Sequence, residues 1–306
     1  MGDESAQYKK NPPGRPRKIL KKLKILLQAI VVTLCLLYAL RGVEIGVLLE
    51  ALSGYSAGSV SVTLLLFALC LWIQAVRLSV LFEPSLGPFG AFKAVIVGLG
   101  LNNVLPAKGG EAAKVIYIGK FLGRPVSEAT GAVFFERFFD INCLYLLSAL
   151  ILGDIISPML LRRMGAFFLA CWAIFAIFRF RPDLFDRIWR ALPWLRGVKF
   201  LDDLQRRLLR DLAAPRLAAA GALTAGVWVT YCLYSVYTFM YVGSLSLTPV
   251  NAATVFLISA AGQLIPSSPG SLGVFEASVV WGFGLFGIDR EPALGMAFLL
   301  RAIQLL

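Results

Sequence analysis

The chain has 306 residues, of which 58% are hydrophobic and 16% charged, and its mean hydropathy is +0.76. A soluble domain carries about 25% charged residues, so this composition excludes a large soluble core and indicates a membrane protein. Histidine is absent and the five cysteines lie apart within apolar stretches, which excludes histidine-based catalysis, a disulfide framework and a zinc site. We therefore expect no catalytic residues, no metal and no cofactor.

The net charge of +12 is unevenly distributed. Eight of the 30 Lys and Arg residues lie in 1–24 and ten more in 179–216. Cytoplasmic loops of membrane proteins collect such residues, so we predict a bacterial inner-membrane protein with a cytoplasmic N-terminus. Residues 1–22 are predicted to form a disordered basic tail, and nucleic acid is not expected as a partner.

From residue 23 to 306 the pattern predicts a single transmembrane domain of helices. Full spans are predicted at about 23–41, 60–82, 127–151, 163–180 and 216–242, with a short apolar segment at 292–306. The linker 181–215 has leucines at helical spacing opposite charged residues, which predicts an amphipathic helix on the cytoplasmic leaflet. An ordinary cytosolic helical loop is the alternative.

Two apolar stretches are interrupted by Pro and Gly. The first comprises 89–105 and 112–122, and the second comprises 251–265 and 271–287. Proline removes a backbone donor and glycine permits a turn, so each pair is predicted to be a broken or re-entrant helix pair. The residues assigned to these breaks are Asn103, Pro106, Gln263, Pro266 and Pro269.

The two breaks align at an offset of 160 residues. Residues 103–106 (Asn-Val-Leu-Pro) align with 263–266 (Gln-Leu-Ile-Pro), and Gly110 aligns with Gly270. Repeat one covers about 60–152 and repeat two about 216–306. Because three spans separate the breaks, the second break would enter from the opposite face. The fold class is therefore an all-α polytopic transmembrane bundle with an inverted-topology repeat.

Several residues near the breaks and in the span at 127–151 are candidates for binding a substrate. Free N–H groups at a helix start inside the membrane suit a phosphate, and Lys108 adds a full charge. Glu136, Arg137 and Asp140 share one helix face and form either a polar track for a headgroup or an ion pair that locks the bundle. We expect Glu276 to face a cavity, and Arg77 and Arg301 to reach toward an interface. The predicted substrate-binding residues are Lys108, Gly109, Gly110, Glu111, Glu136, Arg137, Asp140, Ser267, Ser268, Gly270 and Glu276.

Three segments resemble the signature regions of the flippase-like integral membrane family, which includes the transmembrane region of lysylphosphatidylglycerol synthases. They are GLNNVLPAKGGEAAK (100–114), VFFERFFD (133–140) and QLIPSSPGSLGVFE (263–276). The resemblance implies movement of a phospholipid, such as an aminoacylated phosphatidylglycerol or another anionic or lipid-linked headgroup, between leaflets.

The predicted function is a lipid translocase with membrane phospholipid as its partner, not an enzyme. No Gly-rich Lys-Ser/Thr loop is present to bind ATP. Two alternatives remain open: a membrane-embedded lipid-modifying transferase, and a scaffold for a separate soluble synthase. A homodimer and a soluble lipid-modifying partner are both compatible with the sequence.

Overall fold

The computed structural model describes most of the chain from residue 54 onward. The described ranges are 54–82, 84–105, 109–153, 155–181, 214–264 and 269–305, with isolated positions within 26–46 and 183–206. The predicted tail, the span at 23–41 and the linker 181–215 fall almost wholly outside these ranges. So do Pro106, Lys108, Pro266, Ser267 and Ser268.

All regular structure in the described ranges is helical, which confirms the all-α fold class. The α-helices are α1 Ala57–Val80, α2 Pro88–Val104, α3 Gly109–Phe121, α4 Val126–Ile151, α5 Pro158–Phe180, α6 Ala214–Tyr237, α7 Pro249–Gly262, α8 Val274–Gly284 and α9 Arg290–Leu305. A π-helical turn, Thr238–Val242, extends α6, and a 3-10 turn, Pro269–Ser271, precedes α8.

The helices differ in whether they can cross a bilayer. Three described segments are long and apolar enough by length and composition: Ala57–Val80, Pro158–Ile177 and Ala214–Val242. Helix α4 has 26 residues, about 39 Å at ~1.5 Å per residue, but it carries charges at its centre. By contrast, α3 has 13 residues and α8 has 11, so each is shorter than the ~30 Å hydrocarbon core.

The helix ends agree with the predicted breaks. Helix α2 ends at Val104 and α3 begins at Gly109, whereas α7 ends at Gly262 and α8 begins at Val274. Helices α2 and α3 pack against each other, as do α7 and α8. We call α2 with α3 hairpin one, and α7 with α8 hairpin two.

The order of helices repeats along the chain. A shift of 160 residues moves the start of α1 to position 217, close to the start of α6 at Ala214. The same shift moves α2 onto α7, α3 onto the 3-10 turn and α8, and the start of α4 close to that of α9. A shift of 160 residues in either direction moves helix α5 outside the described ranges. The equivalent helices α1 and α6 make the most extensive packing in the bundle.

The core lies between the two hairpins and the α1–α6 pair. Its largest fully buried apolar side chains include Phe82, Phe135, Phe239 and Phe283. Large apolar residues also point outward, such as Leu150, which is 81% exposed. Outward-facing apolar side chains are what a bilayer accommodates and water does not.

Hairpin one is held together by an unusually close backbone approach. A Cβ at Gly110 would overlap the carbonyl oxygen of Gly98 and lie 2.6 Å from the backbone nitrogen of Asn102. No residue larger than glycine fits there, so the two arms of hairpin one touch through their backbones.

Candidate functional site

Six charged side chains from three helices form a closed ring, in which each charge contacts two of opposite sign. Its members, in order around the ring, are Arg77, Glu136, Lys114, Glu111, Arg137 and Asp140. We call this set the charge ring. With three positive and three negative members it has no net charge.

The buried half of the charge ring is tightly bonded. Arg77 of α1 donates from Nη1 to Asp140 (2.5 Å) and from Nη2 to Glu136 (3.2 Å). Lys114 of α3 donates to the other oxygen of Glu136 at 2.8 Å. The side chains of Arg77, Glu136 and Lys114 are at most 5% exposed. Buried charges persist only when paired, so these contacts hold α1, α3 and α4 together.

The other half of the ring is accessible. The Arg137 side chain is 44% exposed, that of Glu111 23% and that of Asp140 13%. Arg137 contacts Asp140 at 3.1 Å but Glu111 only at 3.6 Å, which is too long for a hydrogen bond. The Arg137–Glu111 contact is therefore the weakest link in the ring.

Neutral polar side chains from α6 complete the charged wall. Trp228 donates from its indole nitrogen to Asp140 at 3.2 Å, and Thr224 accepts a hydrogen bond from Arg77 at 3.2 Å. One helical turn before Arg77, Gln74 donates to the hydroxyl of Tyr231 at 2.9 Å. The polar cluster thus continues across the seam between α1 and α6.

A cavity of about 420 Å³ lies against the accessible half of the charge ring. Its charged lining residues are Glu111, Lys114, Arg137 and Asp140. The rest of the lining carries uncharged polar groups, among them Gln263, Ser271 and Gln304, and apolar ones such as Phe67. The volume falls within the roughly 300–1,000 Å³ range of sites for small ligands.

The two hairpins meet at the edge of this cavity. Gly270 adopts φ +62°, and a Cβ there would lie 3.3 Å from the side-chain oxygen of Asn103 at the end of α2. Asn103 also donates to the carbonyl of Gln304 in α9 at 3.3 Å. The break in hairpin two therefore touches the last turn of α2, in hairpin one.

The predicted free N–H groups at the start of α3 are partly occupied. The Gly110 N–H donates to the side-chain oxygen of Asn102 at 2.9 Å. Asn102 thereby satisfies a backbone group freed by the first break. The Gly110 N–H is not available to a phosphate, which corrects that part of the prediction.

Three predictions about charged residues were wrong. Glu276 is 1% exposed and does not face the cavity. Its carboxylate accepts a hydrogen bond from the Gly273 N–H at 2.7 Å and forms an ion pair with Arg301. Arg301 turns inward, donating also to the carbonyl of Gly270 at 2.8 Å, and Arg77 lies in the ring; neither reaches toward an interface.

Of the remaining predicted substrate-binding residues in the described ranges, Gly109 begins α3 and does not line the cavity. Glu111, Arg137, Asp140 and Gly270 line the cavity, and their roles in binding remain predictions. Glu136 joins the ring but has no access to the cavity, since it is 1% exposed. Of the residues assigned to the breaks, Asn103 and Gln263 line the cavity.

Sequence reasoning missed Arg77, Lys114 and Trp228 as members of the site. Two signals were available. The triad Glu136, Arg137 and Asp140 carries a net charge of −1, which calls for a cation from elsewhere in the membrane. Lys114 follows Glu111 by three residues, the spacing of a helical ion pair.

The comparison with known families is consistent with this membrane-embedded polar site. Residues 25–306 match the family described as lysylphosphatidylglycerol synthase TM region. Neither a curated protein nor a solved structure shows significant similarity to the chain. Because the family match covers most of its length, the chain belongs to the lysylphosphatidylglycerol synthase TM region family, a membrane protein family with a lipid-related role.

Proposed function

We propose that this protein is a lipid translocase that moves a phospholipid between the leaflets of the bacterial inner membrane. The observation that carries the proposal is the cavity with the charge ring on one wall and both hairpins at its edge. A headgroup is the part of a phospholipid that cannot enter hydrocarbon without polar contacts. A cavity of this size can shelter a headgroup while its acyl chains remain in the bilayer.

An inverted arrangement of the two hairpins would give the cavity access from both leaflets. Helices α4, α5 and α6 lie between the hairpins in the chain. Pairing offsets the cost of the charges in α4, so we propose that all three helices cross the membrane. Three crossings place the hairpins on opposite faces, and the short arms α3 and α8 then suit re-entrant helices.

The protein is proposed to act on lipid without altering it covalently. The charged groups that line the cavity contact one another in ion pairs, as in a binding site. The basic clusters at 1–24 and 179–216 favour a cytoplasmic N-terminus at an anionic lipid surface. Phospholipid is the proposed partner, and no nucleic acid is invoked.

Reconstitution into sealed vesicles tests the proposal directly. Phospholipids labelled on an acyl chain would be incorporated in both leaflets, and loss of fluorescence after an impermeant reductant is added would report movement to the outer leaflet. We expect lipid to move faster in vesicles with the wild-type protein than in empty vesicles, and more slowly with Arg137→Ala than with wild type. The matched control is Arg163→Ala, an exposed arginine of α5 outside the cavity.

Equal rates in wild type and empty vesicles for every phospholipid tested would overturn the proposal. Mass spectrometry of the lipid recovered from the same vesicles addresses the alternative of a transferase. Lipid of unchanged mass supports translocation alone, whereas a modified headgroup would favour transferase chemistry.

A further inference from the structure

The pattern of charges in the ring restricts which headgroup the cavity can bind. Its six charges alternate in sign and sum to zero, so the ring is already neutral before any ligand enters. In a site of low dielectric, a ligand with net charge would leave one charge without a partner of opposite sign. A ligand that carries one charge of each sign leaves none.

The weakest contact in the ring faces the cavity. The Arg137–Glu111 distance of 3.6 Å is the longest of the six contacts, and both side chains line the cavity. The shortest contacts of Arg137 with both carboxylates run through Nη2, and its Nε and Nη1 donate no hydrogen bond within the described part of the chain. A ligand can therefore bind Arg137 while the bond to Asp140 is kept.

We propose that the cavity selects a zwitterionic headgroup of no net charge, a phosphate ester bearing an ammonium group, which inserts between Arg137 and Glu111. The phosphate pairs with Arg137 and the ammonium pairs with Glu111. The ring then grows from six alternating charges to eight, and every charge keeps two partners of opposite sign. This inference rests on the proposed function and specifies the substrate class of the same site.

Headgroups with a net charge cannot be inserted in this way. A phosphatidylglycerol headgroup supplies only an anion, so it leaves Glu111 facing a second negative charge. A lysyl-phosphatidylglycerol headgroup supplies one anion and two cations, so one ammonium has no carboxylate left. Phosphatidylethanolamine supplies one of each.

The test compares three lipids that share the same acyl-chain label in the vesicle assay described above. Phosphatidylethanolamine is neutral overall, phosphatidylglycerol is anionic and lysyl-phosphatidylglycerol is cationic. For wild type we expect phosphatidylethanolamine to move fastest, by about tenfold over the other two, which corresponds to the cost of one poorly paired charge.

Single-charge variants should then shift the preference in opposite directions. Glu111→Gln leaves the ring positive and should favour phosphatidylglycerol over phosphatidylethanolamine. Arg137→Gln leaves the ring negative and should favour lysyl-phosphatidylglycerol. Asp289→Asn and Arg163→Gln make the same changes in charge at exposed positions outside the cavity, and they should keep the wild-type order.

The outcomes separate this inference from the proposed function. If wild type moves lipid but prefers either charged headgroup, or if the two variants shift the preference in the same direction, the zwitterion inference is overturned and translocation stands. If no lipid moves faster than in empty vesicles, both fail. The wild-type order decides the question even where a variant does not fold.

A final arm distinguishes lipid from a soluble source of the same charges. Radiolabelled phosphoethanolamine trapped inside the vesicles has the phosphate and the ammonium but no acyl chain. Retention of this compound while phosphatidylethanolamine moves supports a lipid substrate. Its release through wild type, with no movement of the lipid, would overturn the inference.

Discussion

Hairpin one and hairpin two lie 160 residues apart in a similar order of helices but use charge in different ways. Hairpin one contributes Glu111 and Lys114 to a ring that joins three helices and borders the cavity. In hairpin two, Glu276 is the only ionisable residue. At the start of α8 it accepts a hydrogen bond from the Gly273 N–H and forms an ion pair with Arg301. The comparison supports our proposal that hairpin one recognises the headgroup, whereas the charge of hairpin two maintains the local fold.

The largest expected effect comes from opening the buried half of the charge ring. Glu136→Ala leaves Arg77 and Lys114 each short of one carboxylate in the interior. We expect a loss of about 3–5 kcal/mol in the free energy of unfolding, because a buried charge loses its partner. Denaturant titration in mixed micelles measures it, with Asp289→Asn as the exposed control. An unchanged unfolding midpoint would show that the ring does not hold the helices together.

The next effect compares backbone packing in the two hairpins. Gly110→Ala places a methyl group against the Gly98 carbonyl, and neither backbone can move aside easily. We expect a loss of about 1–3 kcal/mol from overpacking. Gly262→Ala in hairpin two meets the hydroxyl oxygen and the Cβ of Ser278 rather than backbone atoms, so its cost should be smaller. Gly100→Ala has no atom within 4 Å of its new methyl group and should be neutral or stabilising by up to about 1 kcal/mol.

Unfolding titrations of these three alanine variants give a rank order. Gly110→Ala should unfold first, Gly262→Ala next and Gly100→Ala last. Should Gly110→Ala unfold no earlier than Gly100→Ala, the close approach within hairpin one is not required for its stability.

A third prediction separates stability from recognition in hairpin two. Glu276→Gln keeps an oxygen for the Gly273 N–H but loses the ion pair to Arg301. The expected loss is about 1–3 kcal/mol, the cost of weakening a charged hydrogen bond in a buried site. The order of preference among headgroups should be unchanged once rates are corrected for folded protein. A change in that order would mean that hairpin two also contributes to headgroup recognition.

The smallest expected effect on stability belongs to Arg137, on the accessible half of the ring. Its side chain is 44% exposed, so Arg137→Gln should change the free energy of unfolding by less than about 1 kcal/mol. The same substitution should reverse headgroup preference, as described above. Arg137→Gln should therefore change headgroup preference with little loss of stability, whereas Glu276→Gln should lose stability without changing preference. Both quantities can be measured on one preparation of each variant. Similar stability losses for both would remove the distinction between the hairpins.

The sequence predicted the helices well and the partners of charged residues poorly. Hydropathy and the Pro/Gly breaks are local signals, and they placed the ends of α2, α3 and α7 within a few residues. Arg77 pairs with Asp140, 63 positions later in the chain. Such a pairing depends on how α1 packs against α4, and a single sequence does not reveal that packing.

Glu276 illustrates a second kind of error. From the sequence we expected this residue to face a cavity. The structure inserts the 3-10 turn and Gly273, at φ +83°, before α8 begins, so Glu276 occupies the third helical position. A glycine with positive φ delayed the helix start by a few residues, and that delay turned an expected cavity residue into a capping residue.

The contact between Gly98 and Gly110 has a mechanical consequence. Because the backbones of α2 and α3 already touch, the two helices cannot slide or rotate against each other. Any displacement of hairpin one should therefore be a rigid rotation of α2 and α3 together, with bending confined to the connections on either side, at 84–87 and 122–125. Spin labels on the two arms should then keep a fixed separation while their distance to α6 changes during lipid movement.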